Sequence, residues 1–280
     1  MSASTPVAAV DINGIALAFR EWGEGSPSLL LLHGYMGSSL DWIDVAPGLA
    51  HQRRVVAYDH RGHGDSGHLG LSSAYTFDAL AADLEAFVDA GVEPTVDLLG
   101  HSMGGVVAMM YVLAHPERVR SMVLMDTAAA PAGNVPMDIL DALVKIGRDQ
   151  GMAALAEVVA DFAITIGAGN GLSEKVIRER AITKISALDV EAVDAFATEL
   201  NTYPSMVERL GEIRCPVTVI VGERDEGLRA SADVLAREIG DAELIVVEGA
   251  SHSPQEDRPQ EWTAAVLTHL ERAQEAGGDL

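Results

Sequence analysis

Short continuous apolar runs alternate with helix-spaced apolar faces along most of this chain. Residues 28–34, "SLLLLHG", form an unbroken apolar run ending in glycine, the pattern of a strand buried on both faces. Residues 53–64, "RRVVAYDHRGHG", and 119–127, "VRSMVLMDT", repeat that form. Residues 76–91 carry apolar side chains at helical spacing, with Gly91 as a stop. "TVDLLG" reads as a strand, and "GGVVAMMYVLAHP" as the helix after it, closed by Pro116. Near the start, 7–22 read as two β-runs around the turn Asn13-Gly14. The alternation predicts an α/β fold with a mainly parallel sheet covered by helices.

That rhythm breaks between Pro131 and about residue 210, where helical patterns recur without a strand. "GMAALAEVVADFAI" and "LDVEAVDAFATEL" are amphipathic helices, "GAGNG" at 167–171 is a loop, and Arg178 and Arg180 sit in a charged, solvated helical run. Strands resume at "CPVTVIVGERD" (215–225) and "AELIVVEGASH" (242–252), with a last helix from Pro254. The expected organisation is a core of 1–130 and 211–280, interrupted by a helical cap at 131–210.

The charge balance changes the list of partners. Nineteen basic against 42 acidic residues give a net charge of −23, which disfavours nucleic-acid phosphates and anionic membrane surfaces. The single cysteine, Cys215, precludes an internal disulfide and reads as a buried, inert thiol. No apolar run approaches the ~20 residues of a membrane span, and the N-terminal stretch lacks a signal-peptide pattern; a cytoplasmic protein is expected.

Chemistry concentrates at "GHSMG", residues 100–104, which fits G-x-S-x-G at a strand-to-helix junction. A serine on so sharp a turn projects at the top of the sheet, and flanking glycines let strand and helix approach. The amide of Met103 opens the helix, where its N–H is available to a developing oxyanion.

The set of motifs resembles the α/β-hydrolase superfamily over almost the whole chain. "LLHGYMGSSLDW" (31–42) resembles the His-Gly loop after the third strand, "YDHRGHGDSG" (58–67) the loop after the fourth, and "GHSMGG" the nucleophile elbow. "GERD" ends a late strand, and "GASHSPQEDRP" carries the terminal histidine. The resemblance implies a sheet of about eight strands, a helical cap and the chain order nucleophile, acid, histidine, matched by Ser102, Asp225 and His252. Serine needs a base, histidine titrates near neutrality, and a carboxylate on the far ring nitrogen fixes the tautomer. Asp126, at the end of "SMVLMDT", is the alternative acid, because some superfamily members carry theirs after that strand. By the same resemblance the backbone N–H of Tyr35 joins that of Met103 in an oxyanion hole. His33, Gly34, Met36 and Trp42 are candidate walls of the substrate pocket.

No Walker-type or dinucleotide-binding glycine pattern follows a strand, and the histidines and aspartates of "DHRGHGDSG" do not complete a zinc set, so no metal and no cofactor is expected. A serine at the elbow points to acyl transfer. The leading expectation is a hydrolase of small to medium apolar esters, or lactones, with a small-molecule substrate. A hydrolase of C–C bonds in vinylogous diketones is the alternative; it needs a cationic clamp for a carboxylate, and no cap arginine stands in an obvious place. A triad-bearing small-molecule receptor with very slow turnover is a third reading.

Overall fold

Four consecutive leucines, Leu29–Leu32, are fully buried and form the short strand at the middle of the sheet. In the computed structural model, which describes residues 5–51, 53–91, 94–132, 137–165 and 172–277, eight strands make one sheet. They are β1 (Ala8–Ile12), β2 (Ile15–Trp22), β3 (Leu29–Leu32), β4 (Val55–Tyr58), β5 (Val96–His101), β6 (Val119–Met125), β7 (Val217–Gly222) and β8 (Ala242–Val247). Their order is β1-β2-β4-β3-β5-β6-β7-β8. β2 runs antiparallel to β1 and β4, and every later pairing is parallel. Register places Leu31 beside Ala57 on one side and Leu99 on the other, so β3 has strands at both edges and helices over both faces. That is why its run is unbroken rather than alternating.

In chain order the α-helices are α1 (Ala46–Leu49), α2 (Phe77–Asp89), α3 (Met103–Ala114), α4 (Met137–Gln150), α5 (Met152–Thr165), α6 (Glu174–Ser186), α7 (Val190–Thr202), α8 (Glu226–Glu238), α9 (Pro254–Asp257) and α10 (Pro259–Gly277). Local chemistry sets their ends. Thr76 caps α2 by accepting from the Ala79 N–H at 3.1 Å, and Gly91, at φ 148°, follows its last turn. One face of the sheet is covered by α2, α3 and α8, through Leu84, Val107 and Leu235. The other is covered by α1 and α10, where Trp42 and Trp262 stack with ring centroids 6.0 Å apart.

The insertion between β6 and β7 contributes α4 to α7 and splits into two parts. Phe196 of α7 is fully buried with Tyr75 and Phe77 in the main core, a burial contributing about 1.5–3 kcal/mol. Asp189 caps α7 and also accepts from the Tyr75 hydroxyl (2.6 Å) and the Gly70 N–H (2.7 Å). The inserted helices α4 to α6 share a second, small apolar cluster that includes Val144, Leu155 and Ile185 and that Val193 of α7 joins. The loop expected at 167–171 lies outside the described residues. No helix among the described residues is long and apolar enough to cross a membrane.

Candidate active site

Ser102 stands between β5 and α3 with φ 51° and ψ −116°, a conformation that L-residues rarely adopt. The flanking glycines explain how the chain tolerates it. A Cβ on Gly100 would lie 2.6 Å from the Gly105 Cα, and one on Gly104 would run into the carbonyl oxygens of Leu32 and His33. The helix therefore sits against β3 and β5 at a distance no side chain permits. The turn is held by the Ser102 N–H donating to the Met125 carbonyl (2.9 Å) and the Thr127 hydroxyl donating to the Ser102 carbonyl (2.7 Å).

Asp225 follows β7, His252 follows β8, and the two meet: His252 Nδ1 lies 2.6 Å from Asp225 Oδ2. Burial works to raise the Asp225 pKa, but the hydrogen bond and charge of His252 outweigh it and hold the carboxyl below the usual aspartate range. With Asp225 ionised, the proton sits on Nδ1 and leaves the Nε2 lone pair outward. The loop carrying His252 is pinned by the Ser251 N–H and hydroxyl, both donating to Asp257 Oδ2.

Ser102 and His252 line the same cavity, of about 350 Å³, together with Gly34, Tyr35, Met36 and Asp126. Met103 opens α3 and is fully buried. Asp126 does not contact His252 through a hydrogen bond; its Oδ1 accepts the Gly222 N–H at 3.0 Å. Its carboxyl nevertheless belongs with Asp225 and His252 in a group whose ligand-type atoms all lie within 4.8 Å of one another, found among the described residues. Within it His252 Nδ1 and Asp225 Oδ2 are engaged with each other, while Asp126 Oδ2 has no hydrogen-bond partner among the described residues.

Two of the expected pocket walls are elsewhere. His33 is fully buried and not on the cavity: its Nε2 accepts the His60 N–H (2.9 Å), so its Nδ1–H donates to the Gly34 carbonyl (2.8 Å). Burial keeps that ring neutral by lowering its pKa. Trp42 is drawn into the core beneath the site by its stack with Trp262. Both side chains find more complete burial there than a solvent-filled cleft offers.

Two residues not expected as pocket walls, His101 and Lys184, also reach the cavity. His101 Nε2 donates to the carbonyl of His252 at 2.7 Å, and burial pushes its pKa down to about 3, so the ring donates as a neutral imidazole. Lys184 of α6 enters from the cap, its Nζ 2.7 Å from Asp41 Oδ1 and 3.4 Å from Glu256 Oε1. Burial alone would favour its neutral form, but Asp41 and Glu256 hold it firmly protonated. Its partner Asp41 is 143 positions away, a relationship local pattern does not carry.

Residues 27–158 match the family model described as the alpha/beta hydrolase fold. The chain is a member of the α/β-hydrolase superfamily. A proline iminopeptidase of Pestalotiopsis fici is 26% identical over 94% of this chain and 99% of its own length. An sn-1-specific diacylglycerol lipase of Mus musculus is 27% identical, covering 87% of this chain and 81% of its own. Among solved structures, a thermophilic esterase from Thermogutta terrifontis superposes with TM-score 0.79 at 26% identity, covering 96% of this chain and 99% of that one. The names of these relatives thus span a peptidase, a lipase and an esterase.

Proposed function

We propose that this chain is a serine hydrolase that cleaves neutral carboxylic esters, lactones included, through an acyl-enzyme on Ser102. The observation that carries the reading is the 2.6 Å bond between His252 Nδ1 and Asp225 Oδ2 at the edge of the cavity that Ser102 lines. In this reading His252 Nε2 takes the Ser102 proton as Oγ attacks the ester carbonyl, and the resulting imidazolium is stabilised by Asp225. The main-chain N–H groups of Tyr35 and Met103 receive the oxyanion, a contribution worth about 10²- to 10³-fold in rate per donor. His252 then gives its proton to the departing alcohol, and water repeats the sequence to release the acid.

Charge inside the cavity favours a neutral substrate over a dienoate. The cation there, Lys184, is already shared by Asp41 and Glu256, so the three side chains together carry one negative charge. A substrate carboxylate would have to displace one of them. The test is a panel of p-nitrophenyl esters, lactones and vinylogous diketone acids, assayed with wild type and Ser102→Ala. Ester or lactone turnover that vanishes in Ser102→Ala supports the reading. A wild type inert to every ester and lactone, or one that turns over only the diketone acids, refutes it.

A further inference from the structure

Asp126 is a buried carboxyl group in the cavity that the ester mechanism leaves without a task. It follows β6 with φ 43°, a left-handed conformation that aspartate tolerates better than most residues, and it is 1% exposed. One oxygen, Oδ1, accepts the Gly222 N–H. The other, Oδ2, is fully buried and meets no donor among the described residues. The Asp126 carboxyl group lies beside that of Asp225, an oxygen of each within 4.8 Å, and the two side chains interact as a hydrogen-bonding pair.

Two carboxylates cannot share such a space, because each would be a buried anion with another anion as its neighbour. The groups around Asp126 make this worse: Asp225 and Asp257 are both negative, and the donor of the network, His252, is bonded to Asp225. A single proton between the two carboxyls removes the conflict and supplies the missing donor. Its location follows from surroundings. Asp225 is stabilised as an anion by His252, whereas deep burial pushes the Asp126 pKa well above the ordinary range, against the pull of the one backbone N–H it accepts.

We propose that Asp126 is held as the neutral acid and donates its proton in a hydrogen bond to Asp225, making it a positioning residue for the carboxylate that orients His252. The proposal rests on the serine-hydrolase reading for the role of Asp225 and His252, though not for the protonation of Asp126. The proton stays on Asp126 throughout the reaction. Its bond fixes the Asp225 carboxylate in the plane that His252 requires and keeps the negative charge of the pair at one.

Two measurements test it. The first compares thermal unfolding of wild type and Asp126→Asn from about pH 4 to about pH 8, a span that begins at the aspartate pKa of an unfolded chain. Above that value the unfolded wild type gives up its Asp126 proton and the folded protein keeps it. Folding of the wild type is therefore progressively disfavoured as pH rises, and asparagine escapes the penalty. The Tm of Asp126→Asn should rise relative to wild type across this span by several degrees. A pH-independent Tm difference overturns the proposal, as does one that moves the other way.

The second measurement is steady-state kinetics on an ester that the wild type cleaves. Asparagine can accept from the Gly222 N–H and still donate to Asp225, whereas alanine can do neither. Asp126→Asn should keep most of kcat, while Asp126→Ala loses about tenfold or more with KM held within about twofold. An Asp126→Asn variant as impaired as Asp126→Ala overturns the proposal, because the carboxylate itself would then be what matters. Equal, full activity in both variants overturns it as well. If the wild type cleaves no ester, the functional reading fails while the unfolding series still decides the protonation of Asp126.

Discussion

His101 and His252 are joined ring to backbone: the neutral imidazole of the residue preceding Ser102 donates at 2.7 Å to the carbonyl of the residue proposed as base. The two rings lie 5.0 Å apart at 48°. The bond ties the elbow to the loop after β8 across 151 positions, so it fixes where His252 stands relative to Ser102. Losing it should affect the reaction more than binding. His101→Ala is expected to lower kcat by about tenfold to a hundredfold with little change in KM, consistent with misplacement of a catalytic group. His101→Gln, which retains a side-chain donor, should recover most of that loss. Steady-state kinetics on one ester with both variants checks it.

Asp225 is the carboxylate on the imidazole, so its charge should be indispensable. Asp225→Asn permits the wrong tautomer of His252 and is expected to lower kcat by about 10⁴-fold while the fold is retained. A circular-dichroism melt and an active-site titration together separate this outcome from unfolding. Substantial activity in Asp225→Asn would move the acid to Asp126.

Acid should unfold this protein earlier than its many carboxylates alone would dictate. Burial pushes His63, His101 and His269 down to about 3, and lowers His33 and His60 as well. These rings are neutral when folded. In the unfolded chain they take up protons below about pH 6.5, so stability is intact above that pH and is lost as pH falls toward the folded values. At about pH 5 each of the three costs about 2 kcal/mol, on a domain whose total stability is on the order of 5–15 kcal/mol. Urea midpoints measured between about pH 8 and about pH 5 should fall steadily from about pH 6.5 downward.

The loop after β4 depends on a buried ion pair. Arg61 Nε and Nη2 reach the two oxygens of Asp83 at 2.7 and 2.6 Å, and Asp83 is 1% exposed. Asp83→Ala strands the guanidinium inside the protein and should cost about 3–5 kcal/mol, read from equilibrium urea unfolding. Replacing both partners together should cost less than that single change, since no lone charge then remains buried.

The strands and the elbow were legible in the sequence because their causes are local. β3 needs an unbroken apolar run, α2 needs a cap and a stop, and a nucleophile turn needs glycines at 100 and 104; each requirement sits within a few positions of the residue it serves. The expectations that missed, His33 and Trp42 as pocket walls, failed for one reason. Both residues lie in the motif that borders the cavity, yet a side chain's direction depends on partners elsewhere: the His60 N–H for one, Trp262 for the other.

By itself, then, the sequence determined the sheet and the sharp turn at Ser102, since backbone conformation and apolar periodicity are short-range properties. Only the tertiary structure decided which aspartate touches His252, which cation enters the cavity, that His101 braces His252, and that Asp126 lies beside another carboxyl group. Each of these is an encounter between distant segments, 27 positions apart for Asp225 and His252 and 143 for Asp41 and Lys184, and such encounters, with the burial that governs their charges, come into being only when the chain is packed.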